Sequence, residues 1–226
     1  MSAIAGALAE VRARIDRAAA AAGRAPEAIR LVAVSKTKPA SAVREAYEAG
    51  QRDFGENYAQ ELVEKADELA DLPDLRWHFI GHLQSNKARL VAPLAALVHT
   101  VDTPSLAREL AKRAARAERP RLAVLVEVNV GGEAQKHGAR PDELAELLDA
   151  VDAEPGLALT GLMTMPPHDL DAARRAFEAL AALRERNGGS ARLPELSMGM
   201  SDDLEIAVAC GATLVRVGSA IFGARS

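Results

Sequence analysis

A single cysteine, Cys210, stands in 226 residues. No disulfide can close within the chain, which excludes a stapled secreted scaffold and suits a reducing, cytoplasmic setting. Cys210 lies in the apolar run "IAVACGATLV", where a thiol packs as a small hydrophobe. Aromatic residues are nearly as scarce, at 3%. Ala, Leu and Val must therefore build the core, and hydrophobic residues make up 49% of the chain, enough for a large one. Excess positive charge is absent too: the net charge is −4. With no basic stripe and no aromatic-interleaved patch, nucleic acid is not an expected partner. Runs such as "ARELAKRAARAERPR" read as solvated helix faces. No leader or membrane span is expected at the N-terminus, because charges begin at Glu10 and recur. Ile4, Leu8, Val11 and Ile15 instead form one stripe of an amphipathic helix. Three sequence signatures are missing: G-x-G-x-x-G opening a helix after the first strand, G-x-x-x-x-G-K-[ST], and G-x-S-x-G. Their absence argues against dinucleotide binding, a P-loop and a serine-hydrolase elbow.

What is present is alternation. Eight β-rich runs occur at 31–36, 52–56, 76–81, 97–102, 122–130, 158–165, 195–199 and 213–218. Between them lie helical patterns around 41–49, 57–70, 83–92, 104–117, 141–152, 169–187 and 202–210. Eight βα units without a long linker predict one domain over 1–226: a (β/α)8 barrel with an extra N-terminal helix. An open doubly wound sheet is the competitor, and it normally has fewer strands.

Barrel enzymes place their reactive groups at the C-terminal ends of strands. The first strand, "LVAVSKTKP", poses the sharpest question there. Val32, Val34 and Lys36 share a face, because side chains alternate along a strand. A lysine following two valines inward either snorkels at the strand end or offers an amine kept neutral for imine chemistry. Asn57 follows the second strand and His82 the third. On the fifth strand Val124, Val126 and Val128 suit the helix-facing side, so Leu125, Glu127 and Asn129 are expected to point into the barrel. By the same logic Leu214, Arg216 and Gly218 point inward on the eighth. An internal Glu127–Arg216 salt bridge is the plainer account of this polar mouth.

Two stretches suit an anion. "SMGMSDD" places Ser201 as an expected helix N-cap, and "RVGSAIFG" places Gly218 and Ser219 at the start of a short helical tail. Both fall after strands seven and eight, where barrel enzymes often hold phosphate. Asp202 and Asp203 work against an anion nearby. Together with Lys36, the two glycine–serine stretches suggest a ligand bearing both an aldehyde and a phosphate. His78 and His82 have H-x-x-x-H spacing but straddle a strand end and lack a third ligand, so no metal site is expected.

The motifs "AVSKTKP", "FGENYAQEL", "WHFIGHLQSNK", "VNVGGEAQKHG", "GLMTM", "LSMGMSDD" and "VRVGSAIFGAR" run in order along nearly the whole chain. In these the chain resembles the pyridoxal phosphate homeostasis proteins, barrels similar to the N-terminal domain of alanine racemase. The resemblance implies pyridoxal 5′-phosphate held as a Schiff base on Lys36. It places Arg216 toward the pyridine nitrogen, Ser201, Gly218 and Ser219 on the phosphate, and Asn57 beside the ring. It assigns no role to Glu127, Asn129 or His82. It also implies a cytoplasmic, monomeric carrier that buffers the cofactor, with pyridoxal-phosphate-dependent apoenzymes as conceivable recipients. Arginine does not readily give up its proton, so the ring would be a weak electron sink. No second β-rich domain is expected after residue 218, and Tyr47 and Tyr58 fall in or near the helices after strands one and two. Little racemisation is therefore expected. An amino-acid racemase and a Schiff-base aldolase of a phosphorylated sugar are the alternatives.

Overall fold

The hydroxyl of Ser2 accepts a hydrogen bond from the Ala5 N–H and starts α1 (Ala3–Ala21). Leu8, Val11 and Ile15 are buried along its stripe, and Ile4 packs at the edge. The computed structural model describes residues 2–133 and 136–223. After α1, strands and helices alternate: β1 (Arg30–Val34), α2 (Ala40–Glu48), β2 (Asp53–Glu56), α3 (Ala59–Glu68), β3 (Arg76–Phe79) and α4 (Ala88–Val91). Then follow β4 (Ala95–Val101), α5 (Pro104–Arg116), β5 (Leu122–Glu127), α6 (Leu144–Asp152), β6 (Leu157–Met163) and α7 (Leu170–Arg186). The chain continues with α8 (Gly189–Arg192), β7 (Glu195–Ser197), α9 (Leu204–Ala209), β8 (Leu214–Val217) and α10 (Ser219–Phe222).

All eight strands pair in parallel and in sequence order, and β8 returns to β1 through Arg30↔Leu214 to Ala33↔Val217, closing the barrel. Two apolar layers result. The outer one lies between strands and helices and holds Ala33, Val124, Val126 and Val128. The inner one fills the lumen with Val32, Leu97, Leu125, Met163 and Leu214. Leu125 and Leu214 thus face inward, as the alternation predicts. Burying each such branched side chain stabilises the fold by roughly 1.5–3 kcal/mol.

Three local differences have physical causes. The helix expected at 83–92 divides into a 3-10 turn, Ser85–Lys87, and the short α4. The helix α8 was not foreseen; it follows Gly188, whose φ of 108° only glycine adopts easily. Ser201 is not an N-cap: α9 begins three residues later, at Leu204. The Asp203 carboxylate accepts from the Met200 N–H and closes a turn there, so Ser201 lies within the loop.

Candidate functional site

The turn that carries Lys36 is strained and anchored. β1 ends at Val34, and Lys38 N–H closes onto the Ser35 carbonyl at 3.0 Å. Thr37 then adopts φ 63°, a left-handed conformation that costs a β-branched residue about 1–3 kcal/mol. Its N–H donates to Glu61 at 2.6 Å. Beneath it, Lys65 reaches back from α3 and donates to the Ser35 carbonyl, Glu56 and Glu61 at 2.6, 2.7 and 2.7 Å. The Ser35 hydroxyl donates to Glu56 at 2.6 Å. Burial pushes the Glu56 carboxyl up, and Lys65 opposes that shift. A buried ion pair thus holds the backbone on which Lys36 stands.

Around that turn, Lys36, Asn57, Ser201, Arg216, Gly218 and Ser219 line one cavity of about 280 Å³ at the C-terminal mouth. Six residues scattered from position 36 to 219 meet because each follows or ends a strand. Two close approaches fix the walls. A Cβ on Gly81 would lie 2.1 Å from the Asn57 carbonyl oxygen, and one on Gly218 would lie 3.1 Å from the Val34 carbonyl oxygen. Ser201 and Ser219 bring their hydroxyls within 3.1 Å of each other. Arg216 is buried, and burial lowers its pKa to about 10, so it remains cationic at neutral pH. Its Nη1 donates to Ser197 Oγ at 2.6 Å and its Nη2 to the Thr164 carbonyl at 2.9 Å. His168 and Met165 also line the cavity and were not picked out from sequence; Met165 ends the β-rich run read at 158–165 but lies two residues beyond β6, and His168 lies in the loop after it. Asp202 lines it as well, while Asp203 is buried in its turn.

The alternative account of the polar mouth, a Glu127–Arg216 salt bridge, does not occur among the described residues. Arg216 directs its donors to Ser197, the Thr164 carbonyl and the Met165 sulfur, and Glu127 Oε2 is buried with no hydrogen-bond partner. Burial, with Asp102 adding to it and Arg216 opposing, raises the Glu127 carboxyl to about 7. Asp102 stands beside it because β4 bulges between Val98 and Val101 before pairing with Val126. Asn129 donates from Nδ2 to the Glu133 carbonyl at 2.8 Å and so pins its own loop. His78 is buried in the lumen, whereas His82 is at the mouth, so the two do not form one site. His82 meets Asp102 and His137 instead, their ligand atoms all within 4.8 Å. The two imidazoles stack at 3.6 Å and 8°, however. Nitrogen lone pairs lie in the ring plane, so two parallel rings cannot aim at a common ion without one turning.

A family model described as "Alanine racemase, N-terminal domain" matches residues 7–226. The chain is 54% identical to the pyridoxal phosphate homeostasis protein of Pseudomonas aeruginosa, covering 100% of this chain and 97% of that one. Its counterpart in Escherichia coli is 48% identical, over 100% and 98%. The chain belongs to the pyridoxal phosphate homeostasis protein family. Among solved structures of similar proteins, PipY of Synechococcus elongatus with PLP bound superposes with a TM-score of 0.81 at 38% identity, covering 97% of this chain and all of PipY. Alanine racemase from Corynebacterium glutamicum shares the fold, at TM-score 0.71 and 18% identity over 98% of this chain and 61% of its own. No helix among the described residues is long and apolar enough to cross a membrane.

The cavity's chemistry fits the group this family is named for. An amine-bearing side chain, an arginine and two hydroxyls converge on a space suited to a small ring with an anionic tail. Asn57 contributes a buried amide oxygen that lacks a protein partner, and its amide can turn to present either oxygen or nitrogen to a ligand.

Proposed function

We propose that this chain binds pyridoxal 5′-phosphate as a Schiff base on Lys36 and buffers it within the cell. The observation that supports this most is the convergence of Lys36, Arg216 and the Ser201–Ser219 hydroxyl pair on one cavity. Lys36 supplies the amine. Ser201, Ser219 and the backbone at Gly218 hold the phosphate, Arg216 faces the ring nitrogen, and Asn57 flanks the ring. Bound there, the cofactor supplies an electrophilic carbonyl and a conjugated ring. The chain's own groups orient it and keep Lys36 in place. A guanidinium that stays protonated keeps the ring nitrogen without a proton of its own, which weakens the ring as an electron sink.

A monomeric, cytoplasmic carrier that passes the cofactor to apoenzymes suits this site better than an amino-acid racemase. Racemisation needs proton transfer on both faces, and neither tyrosine lines the cavity: Tyr47 lies within α2, and Tyr58 is 58% exposed before α3. The test is borohydride reduction of protein loaded with pyridoxal phosphate, followed by peptide mass spectrometry. The mass increment is expected on Lys36, and Lys36→Ala should lose both the increment and the visible absorbance. An increment on Lys38 would move the attachment point. An absence of visible absorbance in the loaded protein, with a phosphosugar trapped on Lys36 instead, would favour the aldolase. Brisk interconversion of alanine enantiomers, lost in Lys36→Ala, would restore the racemase.

A further inference from the structure

Five polar side chains cross the barrel interior in an unbroken line. Asp53 starts β2 at the N-terminal mouth, where Arg76 grips its carboxylate at 2.9 and 2.6 Å. Asp53 Oδ1 lies 2.9 Å from His78 Nε2, and His78 Nδ1 lies 2.9 Å from His99 Nε2. His99 Nδ1 is 2.8 Å from Ser197 Oγ, which accepts from Arg216 Nη1 at 2.6 Å. None of the five residues is more than 4% exposed.

The protons in this line can be placed by elimination. The Asp53 carboxylate accepts, so His78 carries its proton on Nε2 and accepts on Nδ1. His99 must then donate from Nε2 and accept on Nδ1. The Ser197 hydroxyl donates to His99 and accepts from Arg216. Each of the three middle groups, His78, His99 and Ser197, uses one donor and one acceptor along the line. If His78 were doubly protonated, His99 would have to donate from Nδ1 to Ser197. The serine would then accept from both neighbours and have no acceptor left for its own proton. Burial favours the neutral arrangement as well, lowering both histidines.

We propose that this line is a one-way hydrogen-bond strut that fixes how Arg216 faces the cavity, which makes Ser197 and His99 positioning residues for the cofactor's ring nitrogen. The proposal rests on reading the cavity as a pyridoxal phosphate site. Arg216 needs such a strut because an alternative partner is close. Glu127 attracts it across the lumen and has an unpartnered oxygen. Two of the three guanidinium nitrogens are already engaged, by Ser197 and by the Thr164 carbonyl, so the plane of the group is set. Without the Ser197 hydroxyl, Nη1 loses its acceptor and the guanidinium is free to turn to Glu127. A neutral imidazole cannot reverse its donor and acceptor alone, so the direction is held from the far end by Asp53 and Arg76.

Two measurements test this. Nitrogen-15 NMR of histidine-labelled, ligand-free protein at neutral pH should show the Nε2–H tautomer at both His78 and His99. A Nδ1–H tautomer or a doubly protonated ring at either would overturn the strut, and this measurement needs no variant. Ser197→Ala should weaken pyridoxal phosphate binding about tenfold or more. It should leave unchanged the affinity for an analogue with carbon in place of the ring nitrogen, and Ser197→Thr should restore the loss. Equal weakening toward both ligands, or toward neither, would refute the positioning role. If the parent chain binds neither ligand, the cofactor reading itself fails, while the tautomers still decide the strut.

Discussion

Replacing Glu127 with glutamine should stabilise the ligand-free protein, and by an amount that depends on pH in a defined way. Glu127 is 5% exposed and its Oε2 has no partner. Burial first, then the neighbouring Asp102, raises its carboxyl from 4.5 to about 7, while Arg216 pulls the other way. Below about pH 4.5 the group is protonated in both folded and unfolded chains and costs nothing. Between about 4.5 and 7 the unfolded chain releases the proton and the folded chain keeps it, so stability falls as pH rises. Above about 7 both forms are ionised and the loss levels off. At 1.36 kcal/mol per pH unit of separation the loss reaches on the order of 3 kcal/mol. Glutamine keeps the shape and cannot ionise. The stability difference between Glu127→Gln and the parent should therefore grow between about pH 4.5 and 7, then plateau. Urea unfolding followed by circular dichroism, at fixed ionic strength across that range, measures it. Titrations common to both chains cancel in the difference. A difference that stays flat with pH would show that the carboxyl is solvated, or paired with Arg216 after all.

Four further outcomes follow. Lys65→Met leaves the Glu56 carboxyl buried without its cation and should cost about 3–5 kcal/mol in urea unfolding, a loss largely recovered by adding Glu56→Gln; a cost below about 1 kcal/mol would contradict the buried pair. Gly81→Ala cannot place its Cβ 2.1 Å from the Asn57 carbonyl oxygen, so it should lower the melting temperature and weaken cofactor binding together; Gly6→Ala, whose Cβ meets nothing within 4 Å in α1, should stabilise by roughly 0.5–1 kcal/mol. Pyridoxal should bind at least an order of magnitude more weakly than its phosphate, since a hydrogen bond to a charged group contributes about 1.5–3 kcal/mol; equal affinities in an absorbance titration would remove Ser201 and Ser219 from the phosphate site.

The barrel was legible in the sequence because a parallel strand buried on both faces writes a short apolar run, and eight such runs recur between helical patterns. The cavity was legible for a related reason. Polar residues that interrupt an inward alternation, such as Lys36 after Val34 or Arg216 after Leu214, stand out against their neighbours. Asp102 did not, because the bulge in β4 shifts the alternation after Val98 and turns toward the mouth a residue that strict counting sends outward. Lys65 was hidden for another reason: it sits in an ordinary charged helix pattern and reveals its role only where α3 packs beneath the β1 turn. His99 shares a face with Leu97 and could have been flagged by the reasoning that found Glu127. What no alternation could show is that its ring bridges β3 and β7.

The ion pair under the Lys36 turn also bears on how such a carrier would be read by other molecules. Lys65, Glu56, Glu61 and Ser35 fix that turn using groups of the protein alone, so capture and release of a ligand need not reshape it. Little ordering entropy then enters the affinity, and full and empty forms would present nearly the same outer surface. Under the carrier role proposed above, a recipient enzyme scanning the helices would find no sign of whether the site is loaded. That information would be available only at the rim of the mouth, around Thr37, Lys38 and Ser219, where a docking partner could sense the ligand itself.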